Sequence, residues 1–189
     1  MYQKRNNEFE VVSLYLGDYT RRYFLREIAR ETKLPLKNVQ RALNSLEDKK
    51  IFHSKLDGKN KYFSLNLDNV LSKLYLLHAE LQKTQRFLEA YPLCKPFLKS
   101  LSHTPIIVFG SFARFAAGKH SDFDMLIISE EEPALHLLPY KIHPLRMKEK
   151  TFIKAVLRQE TLIKEIEQNH IILNNHSFYV EHLWRHYAK

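Results

Sequence analysis

Residues 106–129 read IIVFGSFARFAAGKHSDFDMLIIS, and this stretch decides the fold of the C-terminal half of the chain. One apolar run leads into Gly110 and Ser111, and a second apolar run follows Asp122 and Asp124. Short apolar runs bounded by turn residues predict buried strands, and side chains along a strand alternate between its two faces. We therefore expect the carboxylates of Asp122 and Asp124 to project from the same face of the sheet, at the start of a strand.

This pattern brings together groups that suit a cation and an anion. Two carboxylates on one sheet face offer the oxygen ligands that Mg²⁺ prefers. Gly110 lets a phosphate approach the backbone closely, and Ser111 precedes a predicted short helix over 112–117, whose free N–H groups favour anions. The sequence therefore predicts a magnesium and phosphate site within residues 110–124.

The two halves of this stretch, at their spacing, resemble a known family. Gly110-Ser111, ten further residues and then Asp122-x-Asp124 resemble the signature of the nucleotidyltransferase superfamily of the polymerase beta type, and the fuller strings resemble its minimal branch. The resemblance implies a small mixed-sheet nucleotidyltransferase fold that uses Mg²⁺ and a nucleoside triphosphate. It also implies that Asp122 and Asp124 are the catalytic residues and metal ligands, and that Gly110 and Ser111 bind the phosphates. Arg114 either contacts the nucleotide or ties the short helix down.

One residue that the resemblance implies is missing. Active members usually carry a third acidic residue on a following strand, but the next predicted strand, 140–146, contains no Asp or Glu. His143 falls near the expected position, and a neutral imidazole is a poor magnesium ligand. The sequence therefore predicts nucleotide binding with one metal ion. The third carboxylate that the resemblance implies for nucleotide transfer is missing from the predicted strand. Beyond this strand we expect one amphipathic helix over 150–169, a strand over 170–173 and a helix over 178–187.

The first third of the chain has a different pattern. The spacing of apolar residues predicts three helices, and Asp57-Gly58 between two strand-like runs predicts a β-hairpin. The predicted helices cover 8–16, 24–32 and 36–49, and the predicted strands cover 51–56 and 61–67. This order resembles the winged helix-turn-helix family, which implies binding of double-stranded DNA by the third helix and the hairpin. A helix-turn-helix used only for protein contact is the alternative.

Polar and basic side chains fill the surface that this resemblance assigns to DNA. The expected DNA-binding residues are Lys37, Asn38, Gln40, Arg41 and Asn44 on the helix, with Lys55, Lys59 and Lys61 on the hairpin. Residues 1–67 hold 14 Lys and Arg against 8 Asp and Glu, within a chain of net charge +9. Such an excess of positive charge favours a polyanionic partner.

Residues 68–92 predict a long connecting helix. Polar and apolar residues alternately four and three apart along it form a seam typical of a short coiled coil. The seam positions are Leu67, Leu71, Leu74, His78, Leu81, Gln85 and Leu88. The seam predicts a homodimer. A helix packed within one chain is the alternative, because a second apolar set lies elsewhere on the same helix.

Composition limits where such a protein would act. No uncharged apolar run in the 189 residues approaches the roughly 18 residues needed to cross a bilayer. Residues 1–8 lack the apolar core of a signal peptide, and the single cysteine, Cys94, has no partner for an internal disulfide. We therefore expect a cytoplasmic protein without a membrane segment.

The sequence thus predicts an α+β chain with three parts. These are a winged helix-turn-helix domain at 1–67, a connecting helix at 68–92 and a minimal nucleotidyltransferase domain at 93–189. The first function hypothesis is transfer of a nucleoside monophosphate, or binding of the triphosphate, with Mg²⁺ by a protein that also binds DNA. The alternatives are a transcriptional regulator whose second domain is a weak or inactive nucleotide sensor, and an antitoxin of a HEPN-type toxin.

Overall fold

A computed structural model describes residues 6–188 of the chain. It has both helices and sheets, which confirms the predicted α+β class. Within the described range the residues group into two compact units. Unit 1 contains residues 6–79 with 187–188, and unit 2 contains Glu80–His186. The predicted domain limits at 67 and 92 remain predictions. The expectation that residues 1–8 lack the apolar core of a signal peptide concerns, in part, residues 1–5, which lie outside the described range.

Unit 1 contains three short helices, a three-stranded antiparallel sheet and the start of a long helix. Its elements are α1 Asn7–Val12, β1 Arg22–Phe24, α2 Leu25–Thr32, α3 Leu36–Asp48, β2 Phe52–Asp57, β3 Asn60–Leu65 and the first part of α4 Val70–Ala90. The strand order is β1-β3-β2, so that the hairpin predicted at Asp57-Gly58 carries a third, unpredicted strand along β3. The three helices and the hairpin lie where the sequence predicts them, to within a few residues.

The core of unit 1 explains why α3 leaves one face free. The apolar positions of α3 recur at helical spacing, and Val39, Leu43 and Leu46 are fully buried. Tyr15, following α1, is also buried and donates its hydroxyl to the carbonyl oxygen of Phe63 on β3 at 2.8 Å. The inner face of α3 therefore packs on its own unit, and its polar face is left to solvent.

Unit 2 is built on a four-stranded mixed sheet with the order β6-β5-β4-β7. Its elements after α4 are α5 Lys95–Ser100, β4 Ile106–Val108, α6 Gly110–Ala113, β5 Phe123–Ile128, β6 Ile142–Met147, α7 Glu149–Arg158, α8 Thr161–Gln168, β7 Ile171–Asn174 and α9 His176–Tyr187. Strand β4 pairs antiparallel with β5 and β7, whereas β5 and β6 are parallel. Strand β6 is an edge strand and contains Pro144.

Two predicted helices of this half are wrong in extent. The single helix expected over 150–169 is two helices, α7 and α8, because Gln159 takes a left-handed backbone conformation with φ of 51°. The short helix expected over 112–117 ends at Ala113, and Phe115 has φ of 55°. Neither break has a glycine or proline to mark it, so residue type alone did not reveal it.

An aromatic cluster fixes the strand that carries the two aspartates. Phe123 is fully buried between Phe112 of α6, at 4.7 Å between ring centroids, and Tyr140 before β6, at 5.3 Å. Cys94 lies in the same core, and burial raises the pKa of its thiol to about 12. The side of the sheet that holds Phe123 is therefore filled, and the residues on either side of it project the other way.

A buried ion pair anchors the second half of α4 within unit 2. Glu80 Oε1 lies 2.8 Å from His170 Nε2, and both side chains are fully buried. Burial by itself would raise the pKa of Glu80, but the charge and hydrogen bond of His170 lower it below 4.5. The pair therefore stabilises the fold above this pH, and its contribution is lost as the pH falls below it.

None of the helices in residues 6–188 is both long enough and apolar enough to span a membrane.

Candidate functional site

The two aspartates lie at the start of β5, as the sequence predicts. Asp124 is the second residue of the strand, and Asp122 directly precedes it. The backbone N–H of Phe109, after β4, donates to the carbonyl oxygen of Asp124 at 3.0 Å. This bond holds the turn at Gly110 beside the Asp124 carboxylate.

Gly110 is required where it stands. Its φ is +69°, in the left-handed region that favours glycine. A Cβ atom added there would overlap Oδ2 of Asp124. The absence of a side chain therefore lets the backbone lie directly against this carboxylate.

Each aspartate faces a basic side chain from β6 or the residue before it. Lys141 Nζ lies 2.9 Å from Asp122 Oδ1, and His143 Nδ1 lies 3.2 Å from Asp124 Oδ1. The register of the parallel pair, in which Asp124 lies opposite His143, produces these contacts. Asp122 raises the pKa of the Lys141 ammonium. The carboxylates are therefore arranged with basic groups already beside them.

One oxygen of the Asp122 carboxylate, Oδ1, is shielded from solvent. The Lys141 ammonium lies 2.9 Å from this oxygen. The hydrogen bond with Asp122 and its charge raise the pKa of the ammonium. A bound cation would therefore take the place of the ammonium at this oxygen.

Neither of the two nearest glutamates in sequence after β5 and β6, Glu130 and Glu149, stands in for the third carboxylate at this end of the sheet. His143 holds the position beside Asp124, as expected from the sequence. Glu130 and Glu149 follow the opposite ends of β5 and β6, and four residues of strand, about 13 Å, separate His143 from the end of β6. Glu130 is paired there with Lys148 at 2.8 Å.

These groups fit one magnesium ion and do not fit two. Asp122 and Asp124 offer oxygen ligands, including the shielded Oδ1, and His143 offers a nitrogen that Mg²⁺ does not favour. Among the described residues no group of three or more His, Cys, Asp and Glu side chains is arranged to hold a metal ion. A single ion here would take its remaining ligands from phosphate and water.

The other predicted nucleotide-binding residues lie beside Gly110. Ser111 is the second residue of α6, and its carbonyl oxygen accepts a hydrogen bond from the N–H of Ala116 at 3.0 Å. Arg114 caps α6, and its side chain is exposed. Within residues 6–188 its guanidinium makes no hydrogen bond or ion pair, so no contact supports the alternative that it ties α6 down. Because α6 has a single turn, its dipole adds little to anion binding.

The residues predicted to meet DNA are on the surface of unit 1. On α3, Asn38 is half-buried and the other predicted residues are exposed, as are those on the hairpin. Gln40 donates to Asn44 at 2.8 Å along the helix. Lys61 is 2.9 Å from Glu47 of α3, so this predicted phosphate contact is already engaged in an ion pair.

Two basic residues that sequence reasoning did not select also lie at this surface. Arg26 and Arg30 of α2 line a groove of about 720 Å³ together with predicted residues of α3 and the hairpin. The other polar groups of this lining include Gln40, Lys59 and Lys61. The spacing of four residues between the two arginines places them on one face of α2, a signal that could have identified them.

Residues 93–176 match the family model described as a nucleotidyltransferase domain. The match covers β4, α6, β5 and β6, and therefore every residue of the candidate metal and nucleotide site. No curated protein and no solved structure matches the chain. The second half of the chain is therefore similar to a nucleotidyltransferase domain.

Proposed function

We propose that this protein binds a nucleoside triphosphate with Mg²⁺ at Asp122, Asp124, Gly110 and Ser111, and binds double-stranded DNA through unit 1. The observation that carries the first part is the contact of the Gly110 backbone with the Asp124 carboxylate, inside the matched domain. It places two carboxylates beside a backbone turn at one end of strands β4 and β5, an arrangement that suits a metal-bound phosphate chain.

The residues have separate roles in this proposal. Asp122 and Asp124 hold the ion, while Gly110 and Ser111 hold the phosphates and Arg114 reaches the nucleotide from the surface. When bound, the ion offsets charge on the phosphates and orients them for attack by an acceptor hydroxyl. Phe123, which lies between the two aspartates in sequence, packs between Phe112 and Tyr140. This packing fixes the positions of the two carboxylates.

The DNA-binding part has its own support. Unit 1 orders its helices and strands as expected for a winged helix-turn-helix, and β1 adds a third strand to the hairpin sheet. The polar face of α3 is exposed, and a basic groove lies between α2, α3 and the hairpin. These features favour a helix in the major groove with flanking phosphate contacts. A homodimer through α4 would match two half-sites.

The nucleotide site is tested by equilibrium binding of each of the four ribonucleoside triphosphates with and without Mg²⁺. Asp124→Asn keeps the shape of the side chain and removes its charge, so we expect it to abolish magnesium-dependent binding while the circular dichroism spectrum is unchanged. Glu130→Gln, at the other end of β5, is the matched control and should bind as the wild type does. Equal binding by the wild type and Asp124→Asn would refute the site.

A second candidate function is favoured by one observation, the pairing of His143 with Asp124. An imidazole in the position of the third carboxylate supplies neither a second metal ligand of the preferred kind nor an additional anionic group. The protein would then bind nucleotide without transferring it, and unit 2 would act as a sensor for a DNA-binding regulator.

His143→Asp separates the two candidates. In a sensor, the new carboxylate should raise the affinity for Mg²⁺ about tenfold and allow transfer of a labelled nucleotide that the wild type does not perform. His143→Asn, which adds no charge, is the control and should do neither. Brisk transfer by the wild type, unchanged in His143→Asp, would exclude the sensor.

A further inference from the structure

Two basic residues at the start of β6 lie over the candidate site without a role in the proposal so far. Lys141 and His143 are two residues apart, so they project from the same face of the strand, as Asp122 and Asp124 do on β5. The N–H of Phe123 donates to the carbonyl oxygen of Lys141 at 2.8 Å, and this hydrogen bond aligns the starts of β5 and β6. Each basic side chain therefore meets one carboxylate.

The Lys141 ammonium meets Asp122 at the end of a long side chain. Its Nζ lies 2.9 Å from Oδ1, an oxygen that is shielded from solvent, whereas the shorter His143 side chain places Nδ1 3.2 Å from Asp124 Oδ1. The Lys141 side chain is 82% exposed on a flexible four-carbon stem. An exposed pair of this kind is weak and exchanges easily. Its ammonium can therefore leave the carboxylate without disturbing the fold.

We propose that Lys141 is a positioning residue for the phosphate chain: its ammonium neutralises Asp122 in the free protein and moves to the phosphates when a metal-bound triphosphate enters. This inference rests on the proposed nucleotide site. It offsets one of the two carboxylate charges of the free site, since one ammonium lies against Asp122.

The exchange couples the two ligands of the site. A divalent cation that binds alone must displace the Lys141 ammonium from Asp122, and the displaced ammonium then has no anionic partner in the site. A phosphate chain alone meets a carboxylate whose charge Lys141 has already offset. When both enter together, the cation takes the carboxylate and the ammonium takes a phosphate oxygen, so that each favours the other.

The same two strands provide a matched control. At their other end Lys148 pairs with Glu130 at 2.8 Å, and both of these side chains are about as exposed as Lys141. Neither Gly58, Gly110 nor Gly118 lies against Glu130. Lys148→Gln therefore removes the same charge from the same strand pair without touching the site.

The test measures two affinities that Lys141 should move in opposite directions. Binding of Mn²⁺ alone is followed by the electron paramagnetic resonance signal of the free ion, and binding of inorganic tripolyphosphate in EDTA by calorimetry. In Lys141→Gln we expect Mn²⁺ to bind more tightly and tripolyphosphate more weakly, each by about two- to fivefold, the range carried by exposed charge pairs. Lys141→Arg keeps the charge and should resemble the wild type in both, as should Lys148→Gln.

The outcomes separate this inference from the proposed function. If the wild type binds triphosphates with Mg²⁺ and Lys141→Gln leaves both affinities unchanged, or moves them in the same direction, the exchange is wrong and the nucleotide site stands. The exchange is equally wrong if Lys148→Gln reproduces the effect of Lys141→Gln. If the wild type binds no triphosphate with Mg²⁺, the proposed function and the inference both fail.

Discussion

At the scale of the residue, Gly110 gives the strongest constraint on the site. Two effects act against any larger residue there, the positive φ and the overlap of a Cβ with Asp124 Oδ2. The first affects the backbone alone, and the second moves the carboxylate that we assign to the metal. Stability and nucleotide binding should therefore respond separately to substitution.

Gly110→Ala tests this point against Gly58→Ala. Gly58, in the hairpin turn, has φ of +59° and no atom within 4 Å of an added Cβ. Gly58→Ala should cost about 1–2 kcal/mol in unfolding free energy, the penalty of a left-handed conformation, and leave triphosphate binding intact. Gly110→Ala should cost more and abolish magnesium-dependent binding. Urea denaturation and calorimetry measure the two quantities, and a Gly110→Ala protein with wild-type affinity would contradict the placement of the phosphates.

The residues also show how far sequence could be interpreted. The positions of Asp122 and Asp124 at the start of a strand, and of Gly110 in a turn, were predictable because alternation along a strand and the backbone conformation of a turn are local properties. The pairing of Lys141 with Asp122 was not, because it depends on the parallel register of β5 and β6 across an intervening connection. Contacts between strands distant in sequence are set by the tertiary fold, not by local pattern.

At the scale of the element, the sequence predicts helices with a regular apolar spacing well, but it does not predict the short strand β1 or the break between α7 and α8. Helix α3 alternates buried and exposed residues at the helical period, and its observed bounds differ by one residue from those predicted. Strand β1 has three residues and no alternation long enough to detect. The break between α7 and α8 depends on the left-handed conformation of Gln159, which the residue type does not signal.

Helix α3 carries the prediction for DNA. Lys37 and Arg41 are one turn apart on its exposed face, so Lys37→Ala with Arg41→Ala should weaken binding to duplex DNA. The slope of log affinity against log salt should fall by about 1 for each phosphate interaction that the substitutions remove. A base contact would instead cost about 1–3 kcal/mol at one position of the sequence. Fluorescence anisotropy across a salt series distinguishes the two.

The control for this variant removes equal charge elsewhere. Lys154→Ala with Arg158→Ala takes two exposed cations from α7 in unit 2 and should leave duplex binding as in the wild type. If the α3 variant binds like the wild type, α3 does not contact DNA. If both variants weaken binding alike, charge in general and not α3 is responsible.

At the scale of the whole molecule, α4 determines the expected assembly. Several leucines of the predicted seam are exposed on this helix, Leu74 at 52% and Leu81 at 47%, while Leu76 and Phe87 are fully buried. The helix thus has one face packed within the chain and a second apolar face open to solvent. Exposed apolar stripes of this kind are typical of protein contacts.

The seam predicts a homodimer that two substitutions should dissociate into monomers. Sedimentation velocity at tens of micromolar should show a dimer for the wild type and a monomer for Leu74→Asp with Leu81→Asp, because each charge would be buried against its copy. Lys73→Asp with Glu89→Lys, which reverses charge without entering the seam, should remain dimeric. A monomeric wild type would leave α4 as a packing helix only.

Strand β6 has a consequence for solubility. Its outer edge is open, since it ends the sheet order, and an open edge invites a strand from another molecule. Pro144 lacks a backbone N–H and cannot complete such a ladder. Lys141, directly before β6, and Arg146 within it are charged and exposed, and charged side chains on an edge strand oppose its pairing with another molecule. Lys141, which faces Asp122, therefore also helps to protect the sheet from edge-to-edge aggregation.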